Sequence, residues 1–339
     1  MIHIIRANHA NMYELQNYVG LDVDVITSHH PLTPITLPHT ALWSPTDLQF
    51  PYRKQIMNRL FGGEQWLLGL QSLITKKFDG SNHRTIVHTA ETYTPYTHQA
   101  VELRKSGMIK KLVCTCWETI PHANQKFTRL RKWKSEAYKY VDIFHTPTKR
   151  AKQALISEGV DPKKIVVIPY GVDFSVFHPG LSRDSQKGKK PVVLTVARKV
   201  AEKGLDIHRE IARQLSDIAE FRWVDSASYS DMPAIYNSAD IFFLPSQTTP
   251  TWEEQYGMSL IEAMACGLPI VTTDSGAIPE VVGNAGIVLA QQDVDKMVKT
   301  LRDMIQNPGK RKAMSRDSLA RARALYDAKK ISKRLAKLY

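Results

Sequence analysis

Two glutamates, Glu254 and Glu262, flank the predicted start of a helix. Residues 257–259 would open that helix, and Gly267 would end it. A helix N-terminus carries N–H groups without intrahelical partners and a partial positive charge, so it suits a phosphate. One carboxylate precedes this end and the other lies about one turn inside it. Both can therefore reach one bound molecule, and phosphate with carboxylate acceptors for hydroxyls is what a sugar nucleotide requires.

Two cations lie in a loop that follows an earlier predicted strand. Arg198 and Lys203 come after the apolar run 191–197 and before a predicted helix. Such a pair at a strand end can neutralise a pyrophosphate without a metal ion. We therefore expect no metal site and no essential metal.

Length and composition predict an ordinary two-domain soluble protein. The chain has 339 residues, of which 43% are hydrophobic and 23% are charged. The three cysteines have no disulfide-like spacing, which favours a reducing compartment. We find no secretion signal and no apolar run of about 18 residues. We therefore expect a cytoplasmic protein.

Strand and helix signals alternate along the chain, which predicts an α/β protein with parallel sheets. The predicted first domain covers residues 1–178, and a polar, glycine-containing linker covers residues 179–190. A second domain follows at residues 191–317. The terminal segment, about 318–339, is predicted as a basic helix. Two such domains bind ligands in the cleft between them, at the carboxyl ends of their strands.

The net charge of +13 predicts a polyanionic partner. The densest basic run opens a predicted helix over residues 129–140. This run has two possible interpretations: an ordinary solvated helix face, or a surface that contacts anionic lipid at the inner membrane face. No nucleic-acid-binding motif accompanies it, so no nucleic acid is expected. The side chains assigned to lipid contact are Phe127, Arg129, Arg131, Lys132, Trp133 and Lys134.

The segment EEQYGMSLIEAMACGLP, residues 253–269, resembles the donor-site signature of retaining glycosyltransferases of the GT-B fold. It is most similar to glycosyltransferase family 4, also described as glycosyl transferases group 1. The resemblance extends from about Val141 to Tyr339 and is patchy before that. It implies two Rossmann-like αβα domains that face a central cleft, and a terminal helix, about 318–339, that packs back on the first domain.

The resemblance also implies roles for the donor-side residues. Glu262 would bind the ribose hydroxyls, while Glu254 would contact the donor sugar and stabilise charge on its anomeric carbon. Arg198 and Lys203 would contact the donor phosphates. The backbone N–H groups that would bind sugar or phosphate oxygens are those of Gly257, Met258 and Ser259.

The first domain departs from the family pattern at two places. The loop 7–11 stands where family members have a Gly-Gly loop, and it contains no glycine. Asn8 and His9 in this loop are candidates for the cleft. Trp117 stands where many members place a histidine.

Four further residues of the first domain are candidates for the acceptor side. The segment VHTAETYTPYTH resembles one in which a histidine and a glutamate line the cleft, which points to His88 and Glu91. His122 and Glu118 are alternatives for the missing histidine. Of these four, we assign the two histidines a catalytic role beside that of Glu254.

The resulting prediction is a metal-independent retaining glycosyltransferase that moves a sugar from a nucleotide donor to an acceptor hydroxyl. No cofactor is expected beyond the nucleotide sugar itself. A lipid-linked or glycan acceptor is expected, and uridine, guanosine and adenosine donors are all compatible with the sequence. Two alternatives stay open. One is a catalytically degenerate protein of the same fold that binds sugar nucleotides or acts as a scaffold. The other is an epimerase or hydrolase of the GT-B fold.

Overall fold

The computed structural model describes residues 2–76, 85–180 and 190–339. These residues form two compact α/β units. Unit 1 comprises Met1–Ile168 and Ile331–Tyr339, and unit 2 comprises Pro169–Lys330. Most of the predicted linker, residues 181–189, lies outside the described residues.

Unit 1 is built on a parallel sheet that has seven strands in the described part of the chain. The spatial order is β3-β2-β1-β4-β5-β6-β7. Strands in a parallel sheet are covered on both faces, and the central ones here are accordingly runs of buried residues. The strands are β1 (Ile2–Ala7), β2 (Val23–Thr27), β3 (His39–Ala41), β4 (Ile86–Ala90), β5 (Lys111–Thr115), β6 (Ile143–Thr146) and β7 (Ile165–Val167).

The helices of unit 1 connect these strands, and one of them differs from the sequence prediction. The sequence pattern predicts a single helix over residues 57–75, but the chain forms two helices separated by residues 62–69. Gly62 ends the first of them, because its φ of 77° lies in the left-handed region and does not continue an α-helix. The helices are α1 (Met12–Leu15), α2 (Arg53–Phe61), α3 (Leu70–Lys76), α4 (Pro95–Lys105), α5 (Thr128–Tyr140) and α6 (Lys149–Ser157).

Helix α5 corrects the predicted lipid-contact surface. Trp133 is buried and stacks on His98, with 4.6 Å between the ring centroids. Lys134 is also buried, and its Nζ lies 2.8 Å from a carboxylate oxygen of Glu158. Both side chains therefore stabilise unit 1 and are not available to lipid. Arg129, Arg131 and Lys132 remain exposed, as does Phe127 just before the helix.

Unit 2 has a second parallel sheet, with five strands in the described residues, in the order β12-β11-β10-β8-β9. Its central strand β10 has the sequence IFFL and is completely buried. The strands are β8 (Val192–Val196), β9 (Glu220–Val224), β10 (Ile241–Leu244), β11 (Ile270–Thr273) and β12 (Ile287–Leu289). The helices are α7 (Leu205–Leu215), α8 (Met232–Asn237), α9 (Met258–Ala265), α10 (Ile278–Val282), α11 (Val294–Gln306) and α12 (Pro308–Leu325).

The division between the units differs from the predicted boundary at residue 178. The segment that follows β7 belongs to unit 2, because the Val172 amide donates to the Tyr326 carbonyl (2.7 Å) and the Tyr256 hydroxyl donates to the Tyr170 carbonyl (2.6 Å). The predicted terminal helix is interrupted after α12 and resumes as α13 (Ala328–Leu335). Residues 331–339 are part of unit 1, where the Ser332 hydroxyl donates to the Val19 carbonyl.

Candidate functional site

Three neighbouring strands of unit 2 carry the candidate donor site at their carboxyl ends. Strands β11, β10 and β8 are adjacent and parallel, so the loops that follow them emerge at one edge of the sheet. The loop after β8 supplies Lys203, the loop after β10 supplies Ser246 and Glu254, and the loop after β11 supplies Ser275. Carboxyl edges of parallel sheets are where α/β proteins bind ligands.

The Glu254 carboxylate is the centre of this cluster. Its Oε2 lies 2.6 Å from Lys203 Nζ and accepts a hydrogen bond of 3.0 Å from the Ser246 hydroxyl. The Glu254 amide donates to Ser275 Oγ at 3.3 Å. The residue is only 6% exposed. Lys203 from the loop after β8 and Ser246 from its own loop therefore hold the carboxylate, while Ser275 from the loop after β11 holds its backbone.

Lys203 is fixed as well as paired. Its Nζ lies 4.9 Å from the centroid of the Trp252 ring, within the range of a cation–π contact. The turn that presents it ends at Gly204, which has a φ of 74°. A Cβ atom at Gly204 would lie 2.0 Å from the Pro245 carbonyl oxygen, so only glycine permits this close approach. Arg198, near the end of β8, is exposed at the surface.

The N-terminus of α9 follows Glu254 closely. Gly257 is the N-cap residue and has a φ of 85°, so the sequence prediction of a helix opening there is confirmed. A Cβ at Gly257 would lie 3.8 Å from Glu254 Cγ, which places the carboxylate stem beside this helix end. Glycine has no side chain to accept from the first-turn N–H groups. Those of Met258 and Ser259 thus point out of the helix end without a side-chain cap.

Gly276 holds the backbone of Glu254 in place. A Cβ at Gly276 would lie 2.1 Å from the Glu254 carbonyl oxygen, and Gly276 has a φ of 55°. The same carbonyl accepts a hydrogen bond of 2.8 Å from the Ala277 amide. The loop after β11 therefore fits tightly against the loop that carries Glu254.

Glu262 lies in α9 and is 2% exposed. Its Oε2 accepts a hydrogen bond of 2.7 Å from the Tyr236 hydroxyl of α8, while Oε1 has no hydrogen-bond partner in the described structure. Burial raises the pKa of Glu262 from its ordinary 4.5 to about 8. A buried carboxylate oxygen without a partner is costly, and a hydroxyl donor from a bound molecule would satisfy it.

In unit 1, Glu91 and Glu118 come together at the carboxyl edge of the first sheet. Glu91 directly follows β4, and its Oε1 accepts hydrogen bonds from the amides of Trp117 (2.8 Å) and Glu118 (3.3 Å), which follow β5. Burial raises the pKa of Glu91 to about 8. The Glu118 carboxylate accepts from the amides of the next two residues and so caps its own loop.

The other first-domain candidates occupy different environments. Asn8 and His9 follow β1 and are partly buried, and His9 Nε2 lies 3.3 Å from Gln65 Nε2. His88 lies inside the sheet, fully buried, with ring nitrogens 2.7 Å from the Tyr339 hydroxyl and 2.7 Å from Thr115 Oγ1. These bonds give His88 a structural role in the core.

His122 has an exposed side chain and a φ of 63°. Its amide donates to a Glu158 carboxylate oxygen at 2.7 Å. Because Lys134 pairs with the same carboxylate, the loop containing His122 is tied to α5. The described contacts of His122 involve its backbone, and its assignment as a catalytic group stays a prediction.

Several residues of the donor site were not found from the sequence. Ser246 and Ser275 each follow a strand by no more than two positions, which is a usable signal for the carboxyl edge. Trp252 and Tyr236 have no such signal, because only folding brings them to Lys203 and Glu262.

Family models match both halves of the chain. A model described as Glycosyltransferase Family 4 matches residues 10–176, and one described as Glycosyl transferases group 1 matches residues 208–320. The second match contains both glutamates of the candidate donor site. The chain is a glycosyltransferase of family 4.

A relative of known name agrees with this membership. A GDP-mannose-dependent monoacylated α-(1-6)-phosphatidylinositol monomannoside mannosyltransferase from Corynebacterium glutamicum is 26% identical over 259 residues. The match covers 66% of this chain and 66% of that relative, just under two thirds of its length.

Solved structures of two other proteins share the GT-B fold of this glycosyltransferase. Sucrose-phosphate synthase from Thermosynechococcus elongatus superposes with a TM-score of 0.72 at 16% identity, covering 100% of this chain and 98% of that one. Anabaena HepE in complex with UDP gives a TM-score of 0.70 at 15% identity, with 99% and 98% covered. Among the described residues, no helix combines the length and apolar character needed to cross a membrane.

We predict that Gly276→Ala disrupts the donor site of this glycosyltransferase. The new Cβ would displace the Glu254 carbonyl, in addition to a strain of about 1–2 kcal/mol from the positive φ. Gly267→Ala is the matched control, because Gly267 has a φ of 74° and its Cβ would meet only ordinary contacts. Gly276→Ala should lower the free energy of unfolding in urea and the affinity for nucleotide more than Gly267→Ala does. Equal effects in both variants would contradict this role for Gly276.

We also predict a pH dependence of stability that originates at Glu262. Its folded pKa of about 8 exceeds its ordinary 4.5, so between these values the folded state keeps a proton that the unfolded state has lost. Stability therefore falls as pH rises through this window. Glu262→Gln should reduce the fall in urea midpoint between pH 6.5 and 8 without abolishing it, because burial also raises the pKa of Glu91 to about 8 and that carboxyl is present in both proteins. Buried histidines do not interfere there, because burial lowers their pKa from 6.5. Parallel curves for parent and variant would show that Glu262 is ionised in the folded protein.

Proposed function

We propose that this family 4 glycosyltransferase transfers a sugar from a nucleoside diphosphate sugar to an acceptor hydroxyl with retention of anomeric configuration. One observation carries the proposal. A carboxylate (Glu254) and a cation (Lys203) are fixed 2.6 Å apart beside the uncapped N-terminus of α9, at the carboxyl edge of a parallel sheet. This arrangement offers positive charge to a diphosphate and a carboxylate to the adjoining sugar.

The unpartnered oxygen of Glu262 supports the ribose assignment. Ribose presents two neighbouring hydroxyl donors, and the buried Oε1 of Glu262 is an acceptor without a donor in the described structure. The Tyr236 hydroxyl already occupies the other oxygen and fixes the orientation of the carboxyl group. Ribose binding would satisfy the buried group and favour its ionised form, because hydrogen bonds to a carboxylate lower its pKa.

The chemical step follows from the placement of charge. The bond between the anomeric carbon and the diphosphate oxygen breaks, and the acceptor oxygen bonds to the same face of that carbon. The acceptor proton passes to the departing phosphate oxygen. Glu254 stabilises positive charge on the anomeric carbon, while Lys203, Arg198 and the α9 N–H groups stabilise negative charge on the diphosphate. The protein acts by positioning and electrostatics.

The proposal assigns charge neutralisation to these fixed groups and requires no metal. Among the described residues, the group of three metal-binding side chains with neighbouring ligand atoms is His98, Glu102 and Glu136, all in unit 1. The described part of unit 2 has no such group beside Glu254 and Lys203. In this proposal Lys203 takes the role that a divalent ion has in other transferases.

The acceptor that fits best is a lipid-linked one at the inner face of a membrane. The Corynebacterium relative is named for a phosphatidylinositol mannoside acceptor and a GDP-mannose donor, whereas the Anabaena structure contains UDP. We accordingly propose a nucleoside diphosphate sugar as the donor, and a screen of nucleotide sugars would identify its base. The exposed cations of α5 suit a chain that works peripherally on an anionic, cytoplasmic membrane face.

We predict separable effects of the two glutamates on kinetics. Glu262→Ala should weaken donor binding by roughly 1.5–3 kcal/mol, because ribose loses a charged acceptor. Glu254→Gln should lower kcat more than it raises KM, because its charge acts mainly in the transition state. Glu220→Gln, at an exposed position of the same unit, is the control. Calorimetry after a nucleotide-sugar screen gives the binding data. A donor affinity unchanged by Glu262→Ala would remove the ribose assignment.

We predict retained configuration and full activity in excess chelator. Lys203→Met and Arg198→Gln should each weaken binding of the free diphosphate, because they remove positive charge from the site. NMR of the product gives the anomeric configuration, and turnover with and without chelator tests the metal. An inverted product would contradict retention. Activity that is lost in chelator and restored by Mg²⁺ or Mn²⁺ would contradict the metal-free mechanism.

A further inference from the structure

Exposed apolar side chains are concentrated in one short segment of unit 1. Of the twelve large hydrophobic residues that are exposed in the described structure, eight lie between Trp43 and Leu68, and a ninth is Phe127. Scattered single apolar residues are normal at a protein surface, but a contiguous group marks an interaction site. The eight are Trp43, Leu48, Phe50, Tyr52, Ile56, Leu60, Phe61 and Leu68.

Helix α2 is the centre of this group and has no buried residue. Tyr52 is the N-cap residue of α2, with a φ of 59°, and Ile56 and Leu60 lie four residues apart on one face of the helix. Their exposed fractions are 74%, 42% and 55%. An amphipathic helix of a folded domain normally turns its apolar face to the core. The apolar face of α2 is turned to solvent.

The exposed segment and α5 form one continuous surface. The Arg129 guanidinium of α5 donates to the Leu60 carbonyl, at the end of α2. The Trp66 indole N–H donates to the Phe61 carbonyl at 3.2 Å, and the Leu68 amide donates to the Trp43 carbonyl at 2.9 Å. These contacts connect the loop before α2, the helix itself, the loop after it and the first turn of α5.

The charge on this surface is predominantly positive. Neither residues 48–63 nor residues 119–135 contain an aspartate or glutamate. The nearby acids Asp47 and Glu64 are already engaged, with the Ser44 amide and with Arg53. Glu102 and Glu136, which line a cavity beside Leu60 and Arg129, both pair with Lys105. Exposed cations stand among the apolar side chains: Lys54 and Arg59 in α2, and Arg129, Arg131 and Lys132 in α5.

We propose that the α2 surface docks onto a membrane that contains anionic lipids. The α2 surface is defined as Tyr52, Ile56, Leu60 and Phe61, together with Phe127 and the five exposed cations. Apolar side chains enter the acyl boundary, and the cations bind phosphate-bearing headgroups. The inference deepens the proposed function, on which it rests for the lipid-linked acceptor.

A second copy of the chain suits this surface less well. A symmetric dimer would bring the same patch of both copies together, so its cations would face each other without acidic partners. Anionic headgroups instead supply the missing negative charge. The apolar component comes from α2, because Trp133 and Lys134 of α5 are buried in unit 1.

The test is co-sedimentation of the full chain with phosphatidylcholine vesicles, with and without phosphatidylglycerol. The parent should bind the anionic vesicles and release as salt rises. Lys54→Gln with Arg59→Gln should weaken binding about thirtyfold. Ile56→Ser with Leu60→Ser should weaken it at least tenfold at every salt concentration, because apolar insertion is not screened.

Matched controls keep the result specific to this surface. Leu32→Ser with Leu325→Ser removes exposed apolar side chains elsewhere, and Lys296→Gln with Lys299→Gln removes exposed cations elsewhere. Both pairs should bind vesicles as the parent does. Equal losses in controls and test variants would overturn the assignment to α2.

Two results would overturn the proposal outright. One is no binding to anionic vesicles at low salt. The other is a dimer in analytical ultracentrifugation, without vesicles, that the Ile56/Leu60 variant abolishes. Nucleotide-sugar binding by calorimetry is measured on the same variants and should not change. Vesicle binding without turnover of any donor would contradict the proposed transferase activity alone. Turnover without vesicle binding would contradict only the proposed docking surface.

Discussion

The ion pair between Lys203 and Glu254 is the contact on which the donor site depends. It joins the loop after β8 to the loop after β10, and the Ser275 hydroxyl adds the loop after β11. Neither charge could be held at this edge alone, because both side chains are largely buried and an unpaired buried charge is costly. Pairing keeps both in place at low cost and sets a cation and an anion side by side, as a sugar diphosphate requires.

Glycines make this pairing possible. Gly204 and Gly276 each let a neighbouring carbonyl approach to a distance at which a Cβ would collide. The two close approaches lie on either side of the Glu254 loop, so the backbone is confined before any side chain acts. Preorganisation of this kind is what electrostatic catalysis uses, because the charges need no rearrangement during the reaction.

Local sequence signals predicted the donor helix well. The opening of α9 at Gly257 and its end before Gly267 follow from glycine and helix-forming residues within a few positions of each other. The parallel sheets were predictable for the same reason, since alternating strand and helix patterns are local. The partners of Glu254 and Glu262 were less accessible. Tyr236 reaches Glu262 only through the packing of α8 against α9, which no local pattern encodes.

Helices α2 and α5 show where periodicity fails. Apolar spacing alone predicts a helix over residues 57–75, but glycines within it end α2 early. In α5 a tryptophan and a lysine resemble interfacial anchors, yet Trp133 stacks on His98 and Lys134 pairs with Glu158.

Burial in such cases is decided by a partner distant in sequence, so composition cannot separate a core lysine from a lipid-binding one. The same reasoning gives the solvent-facing side of α2 its meaning. No residue of α2 is buried in unit 1, so packing does not explain its apolar side chains. Their exposure instead indicates a role in an interaction.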